Sequence, residues 1–370
     1  MARTADDPRP LDDDTPPGRS DTTARSADDS QHPGRSLWRG LIWLVVLVAL
    51  VVGLLLAVPG LHGVAQQVRH MRPTWVMAGI GFEILSCVGY VVAFLQVFER
   101  APVRFGARVA LSELAFNSAV SLGGAGSIAV GAWVLVDRGG NPMTIAQRSA
   151  VLFLLTTAIN VITLVLAGLG LWLGILPGPA NPLLSLLPAA IGTIGFGGVL
   201  LLPRFSERLA ASRDPGRIRT LLLEAATSIR LTEQVLFRPD WRIIGAIAFL
   251  WCDIAVLVVC FAAAGFIPPL AVIVLAYQIG YLSNFVPIPG GIGVLDGSLI
   301  GMFALYKVSA TAATAATVVY HAIALWVPAV WGTVAFVILQ RTRGRPVQLR
   351  PPLETRRQLR RARRRTSHRS

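Results

Sequence analysis

Asn117-Ser118-Ala119-Val120-Ser121-Leu122-Gly123-Gly124-Ala125-Gly126 and Asn284-Phe285-Val286-Pro287-Ile288-Pro289-Gly290-Gly291-Ile292-Gly293 share one pattern: an asparagine six residues ahead of Gly-Gly-x-Gly, repeated 167 residues apart. Each copy lies inside an apolar stretch, 107–136 and 270–305, long enough to enter a bilayer. Paired glycines break a helix and leave backbone N–H and C=O groups without helical partners. In hydrocarbon such groups are tolerated only where protein or a water-filled cavity satisfies them. One glycine pair alone would be a helix end. The chain has only five asparagines, so the recurrence of one before both breaks reads as an internal duplication around a substrate-sized cavity.

The composition around the repeat is that of an integral membrane protein. Of 370 residues, 54% are apolar and 15% charged, with a mean hydropathy of +0.60. Six stretches can each cross about 30 Å of hydrocarbon, roughly 37–58, 73–98, 144–175, 183–202, 241–265 and 310–339. The first follows a polar leader, carries Trp38 and Trp43, and lacks a small-x-small cleavage site, so it reads as an anchor and not a signal peptide. Cys87, Cys252 and Cys260 all fall within spans, where they read as packing residues and not as a disulfide or zinc framework.

The net charge of +14 is unevenly spread. Residues 1–36 hold five Arg against eight Asp, and residues 341–370 hold twelve Arg against Glu354. Both ends are expected to be disordered and cytoplasmic, the tail drawn to anionic lipid. Aromatic residues are absent from the tail, and the chain is membrane-embedded, so nucleic acid is not expected as a partner. Eight arginines lie in or next to the 203–240 loop, at 204, 208, 213, 217, 219, 230, 238 and 242, whereas 176–182 and 266–269 carry no charge. If the two glycine-broken segments were full crossings, that loop and the tail would lie on opposite sides, against the positive-inside tendency. If both dip in and return, every basic stretch except Arg69 and Arg72 falls inside. The first hairpin then opens to the cytoplasm and the second to the exterior, an inverted arrangement used by transporters to build a midplane site. A basic amphipathic helix is also expected at 216–238, with Ile218, Leu222, Ala225, Ile229 and Leu236 opposite Arg219 and Arg230, lying at the interface.

The second glycine run, Pro287-Ile288-Pro289-Gly290-Gly291-Ile292-Gly293-Val294-Leu295-Asp296 after Asn284, followed by Tyr320 and the Trp326, Pro328, Gly332 spacing, resembles the lysylphosphatidylglycerol synthase transmembrane-domain family, also described as flippase-like. The resemblance covers most of 37–340, its specific signal lying in about fifty residues near the C-terminal end. It implies a polytopic helical domain that handles lipid, in the best-known members moving an aminoacylated phospholipid between leaflets. Those members carry a soluble aminoacyltransferase domain, which no non-spanning piece here, of 36, 38 and 30 residues, is long enough to form. The chain departs from the family pattern at His321, where members often have Arg, and in the first hairpin, which lacks the usual proline and acid.

Ionisable groups inside hydrocarbon are functional candidates by default. Glu83 and Asp253 lie near the centres of their spans, Glu113 lies one turn before Asn117, and Asp296 lies just beyond the second glycine run, at the family's acidic position. Tyr320 and His321 lie a third of the way into the last span, suited to a proton relay or a lipid head group. Asn117 and Asn284 are expected to cap the broken helices. The substrate-binding set is therefore Glu113, Asn117, Gly123, Gly124, Gly126, Asn284, Pro287, Pro289, Gly290, Gly291, Gly293, Asp296, Tyr320 and His321, with no catalytic residue, metal or cofactor expected. Gly291-x-Gly293-x3-Gly297 has the wrong spacing for a dinucleotide fingerprint, and Walker A, His-Glu-x-x-His and Gly-x-Ser-x-Gly motifs are absent.

These readings give an all-α integral membrane protein of about six full transmembrane helices and two re-entrant hairpins in an inverted repeat. Its parts are a cytoplasmic leader (1–36), a polytopic membrane domain (37–340) holding the 203–240 loop, and an Arg-rich tail (341–370). The expected role is a non-enzymatic lipid transporter of the inner membrane. Its partners would be anionic or aminoacylated phospholipid or a polyprenyl-linked lipid, with a homo-oligomer permitted. The alternatives are a secondary transporter of a small solute and an intramembrane lipid-modifying enzyme acting through Asp296 or His321, the latter without a recognisable nucleophile and base.

Overall fold

The computed structural model describes residues 62–119, 125–179, 181–210, 217–237, 240–281 and 294–342, all of which belong to one unit. Eleven helices and no strand occur among the described residues: α1 (His62–Arg69), α2 (Pro73–Val97), α3 (Val103–Ala119), α4 (Ala125–Asp137), α5 (Pro142–Trp172), α6 (Pro182–Ala210), α7 (Arg217–Phe237), α8 (Ile243–Ala263), α9 (Leu270–Tyr281), α10 (Val294–Leu305) and α11 (Ala310–Arg341). Five of them, α2, α5, α6, α8 and α11, are long and apolar enough to cross a membrane. They coincide with five of the six expected spans, and the sixth, 37–58, lies outside the described residues.

Local chemistry sets the helix ends. Proline opens α2 and α5, where its missing N–H costs nothing and its fixed φ suits the first turn. Asn141 caps α5, its Oδ1 accepting from Met143 N at 3.0 Å and Thr144 N at 3.2 Å, and Ser309 caps α11 through Ala312 N. Gly174 and Gly265, at φ +71° and +86°, take the left-handed turn that stops α5 and α8. Asn141→Ala is expected to cost about 1 kcal/mol, read as a lower midpoint of thermal unfolding in detergent.

The outward faces are apolar. Ile191 and Ile194 on α6 are 62% and 74% exposed, which suits contact with lipid tails and not with water. Between helices, small residues let backbones meet, the usual packing device within a bilayer. A Cβ added at Gly89 on α2 would lie 2.7 Å from the Gly245 carbonyl oxygen of α8, and one at Gly245 would lie 2.8 Å from the Gly89 carbonyl oxygen. Gly332 brings α11 against the Leu111 carbonyl of α3 just as closely. The basic helix α7 does not lie free: Ala226, Ser228, Ile229 and Thr232 are buried as it packs on α5 and α6, leaving Arg230 exposed.

The short helices double back. If α3 and α4 continued in line, Glu113 and Gly131 would be about 27 Å apart at 1.5 Å per residue. Instead the Glu113 carboxyl fills the place where a Gly131 Cβ would project. Likewise Leu299 of α10 packs on Gly280 of α9, and Ser298 Oγ donates to the Gly280 carbonyl at 3.3 Å.

Arginine contacts gather several helix ends at one end of the bundle. Arg148 and Arg242 donate to the carbonyls of Val97 and Leu95, joining the starts of α5 and α8 to the end of α2. Arg138, just beyond α4, donates to Leu339 O near the end of α11 at 3.1 Å. Carbonyls at helix C-termini are unpaired and partly negative, so these are their natural partners. Arg242 also bridges Asp240 at 2.6 Å and Glu99 at 3.5 Å, and hydrogen bonding to Asp240 pushes its guanidinium above the ordinary arginine range. The opposite end is held by neutral bonds: Arg72 N to Ala263 O, Gln67 Nε2 to Ala264 O, and Tyr306 Oη to Leu184 O. The α3–α4 pair therefore starts and finishes at the arginine end, and the α9–α10 pair at the neutral end.

Candidate functional site

Asp296 sits in the first turn of α10, where free N–H groups and the helix dipole favour a carboxylate. Its Oδ1 lies 2.9 Å from Nδ1 of His321 on α11, an arrangement in which the ring N–H donates to the acid. Both side chains are mostly but not wholly covered, at 19% and 13% exposure. Two residues singled out separately in the sequence thus form one pair.

The preceding residue on α11 faces a different acid. Tyr320 Oη donates to Asp253 Oδ2 at 3.3 Å, and Tyr277 Oη of α9 donates to the same oxygen at 2.5 Å. The two phenol rings stand edge to face, with centroids 6.3 Å apart. Ser86 Oγ of α2 donates to Phe249 O of α8, and one turn further along these antiparallel helices that register sets buried Glu83 level with Asp253; Glu83 Oε1 lies 4.0 Å from Cys87 Sγ. Because Tyr320 and His321 are consecutive, the two acid centres lie at nearly one depth, on different sides of α11.

A third acid, Glu113 on α3, is buried and accepts from Tyr90 Oη of α2 at 2.8 Å. Asn117 lies two residues before the end of α3, and Gly126 in the first turn of α4. The helices α3 and α11 run antiparallel and touch at Leu111 and Gly332. Counting 1.5 Å per residue from that contact puts Asn117 and His321 within about 8 Å in depth. The ends of α3 and α10 next to the glycine runs therefore come within about 8 Å of one level. Gly123, Gly124, Asn284, Pro287, Pro289, Gly290, Gly291 and Gly293 lie outside the described residues.

Sequence reasoning missed Tyr90 and Tyr277, which supply hydrogen bonds to Glu113 and Asp253. A usable signal existed. The chain has only five tyrosines, and a phenol inside hydrocarbon seeks an acceptor. No cluster of three or more His, Cys, Asp or Glu side chains suited to a metal occurs among the described residues.

The model of the lysylphosphatidylglycerol synthase TM region matches residues 41–332, well over half of the chain, and the chain belongs to that family. A UPF0104 membrane protein of Methanothermobacter thermautotrophicus is 34% identical over 90 residues, which are 24% of this chain and 26% of that relative. The matched segment thus spans about a quarter of the relative's length.

Proposed function

We propose that this member of the lysylphosphatidylglycerol synthase transmembrane family carries a lipid head group across the bilayer at a midplane site between two re-entrant hairpins. The observation that carries the reading is the Asp296–His321 pair, a partly open acid and imidazole held 2.9 Å apart, a third of the way along α11 within an apolar bundle. Such a pair suits a head group bearing both phosphate and amine: His321 offers a donor to the phosphate and Asp296 a charge to the ammonium. An aminoacylated phospholipid is the class that meets both demands. Placing a polar pair in hydrocarbon is costly and needs a polar guest or a function to justify it.

The hairpin assignment rests on the two doubled-back pairs, α3–α4 opening at the arginine end of the bundle and α9–α10 at the neutral end. With the arginine end cytoplasmic, the two are inverted about the membrane plane and both termini are inside. In a background with Cys87, Cys252 and Cys260 replaced by alanine, Arg213→Cys should react with an impermeant thiol reagent only from the cytoplasmic side, and Pro179→Cys only from outside. The reverse pattern would remove the inverted topology.

Activity is tested by reconstituting the purified protein in liposomes whose inner leaflet carries a fluorescent aminoacylated phosphatidylglycerol. Faster exposure of the label than in protein-free liposomes is expected. No acceleration with this lipid, together with thermal stabilisation by a soluble solute, would instead make the protein a solute transporter.

A further inference from the structure

Glu83 and Asp253 are the acids that the head-group reading leaves without a task. Each lies midway along its helix, α2 and α8, and the two helices are locked together by the Gly89–Gly245 contact and by Ser86 Oγ donating to Phe249 O at 2.8 Å. The described residues provide no cation for either acid. The ion pairs are made by Arg242 and His321 with other partners. The titratable groups facing the pair are Cys87 on α2, Cys252 beside Asp253 on α8, Tyr277 on α9 and Tyr320 on α11.

The hydrogen bonds are unequally shared. Asp253 Oδ2 receives both phenol protons, whereas Asp253 Oδ1 and Glu83 Oε2 are buried and make no hydrogen bond among the described residues. A further buried polar atom without a partner, Thr317 Oγ1, lies one turn before Tyr320 on the same face of α11. Six such atoms occur among the described residues, and both carboxyl oxygens among them belong to this pair, which marks a place built for a guest.

We infer that Glu83 and Asp253 form a proton-binding site that takes up and releases one proton per transport cycle. Asp253, with two phenol donors, is the acid that keeps its charge, and Glu83, only 5% exposed and without such donors, is the one that carries the proton. Two buried carboxylates without a cation repel each other and lose their hydration, so one shared proton is the smallest guest that satisfies the pair. Nothing is oxidised or reduced: the proton arrives from water on one side and leaves to water on the other. The use of that proton to drive lipid movement rests on the proposed lipid reading, since Tyr320 ties the acid pair to the residue beside His321.

The site is tested first without any lipid assay. Infrared difference spectra of the reconstituted full-length protein should contain the carbonyl stretch of a protonated carboxyl at neutral pH, lost on an alkaline step and missing in Glu83→Gln. Absence of that band from the wild type, or its persistence in Glu83→Gln, would overturn the proton site. Lipid movement is then measured with and without a pH gradient, where wild type should respond several-fold and Glu83→Gln not at all. A wild-type rate indifferent to the gradient would overturn the coupling, and dependence on sodium at fixed pH would replace the proton by an alkali cation. If no lipid moves under any gradient, the lipid reading falls, while the infrared band still decides the proton site.

Discussion

Asp296→Asn is expected to slow lipid movement between leaflets at least tenfold, about 1.4 kcal/mol in the barrier, with expression and thermal stability nearly unchanged. The amide oxygen of Asn can still accept from the His321 ring and from the free N–H groups of the first turn of α10. What it lacks is a charge to offer an ammonium group. His321→Gln should cost less when added to Asp296→Asn than when made alone, because groups 2.9 Å apart act as a unit. The fluorescent-lipid assay in liposomes reads both variants. Parallel losses of stability and translocation in Asp296→Asn would make the acid a structural cap.

Gly332→Val should destabilise the fold by about 3 kcal/mol, at the upper end of overpacking costs. The added carbons have no flexible neighbour to push aside: they meet the Leu111 backbone carbonyl and the Ala115 Cβ of α3. Gly301→Ala, where nothing stands within 4 Å of the new Cβ, is the matched control and should melt like the wild type. Thermal unfolding in one detergent compares them. If both variants melted at the wild-type temperature, the close approach of α3 and α11 would be wrong.

The spans were legible because hydropathy over twenty residues is a strong and local signal. Five expected spans reappear with ends shifted by a few residues, and α6 runs on to Ala210 with Pro203 inside it, past the proline that marks an expected end at 202. The interruption of 107–136 and 270–305 was legible from the glycine pairs, since a helix break is local as well. The partners of the acids were not. Asp253 meets tyrosines 24 and 67 residues away, and Glu113 meets one 23 residues away, so those contacts depend on how whole helices are arranged. Asp296 and His321 were each identifiable as polar groups in an apolar run, but their pairing follows only once α10 lies against α11. The packing of α7 was illegible for a related reason: its apolar face was visible, but that α5 and α6 cover part of that face depends on how those helices are arranged.

The glycine contact between α2 and α8 also decides which parts can move. With backbone against backbone at Gly89 and Gly245, neither helix can roll or slide past the other without collision, and the two behave as a single beam. Glu83 and Asp253 are both mounted on that beam, so their separation is fixed by it. The phenols come from α9 and α11, which lie outside that contact. Were either helix to tilt, its phenol would leave Asp253 while the two acids stayed in place.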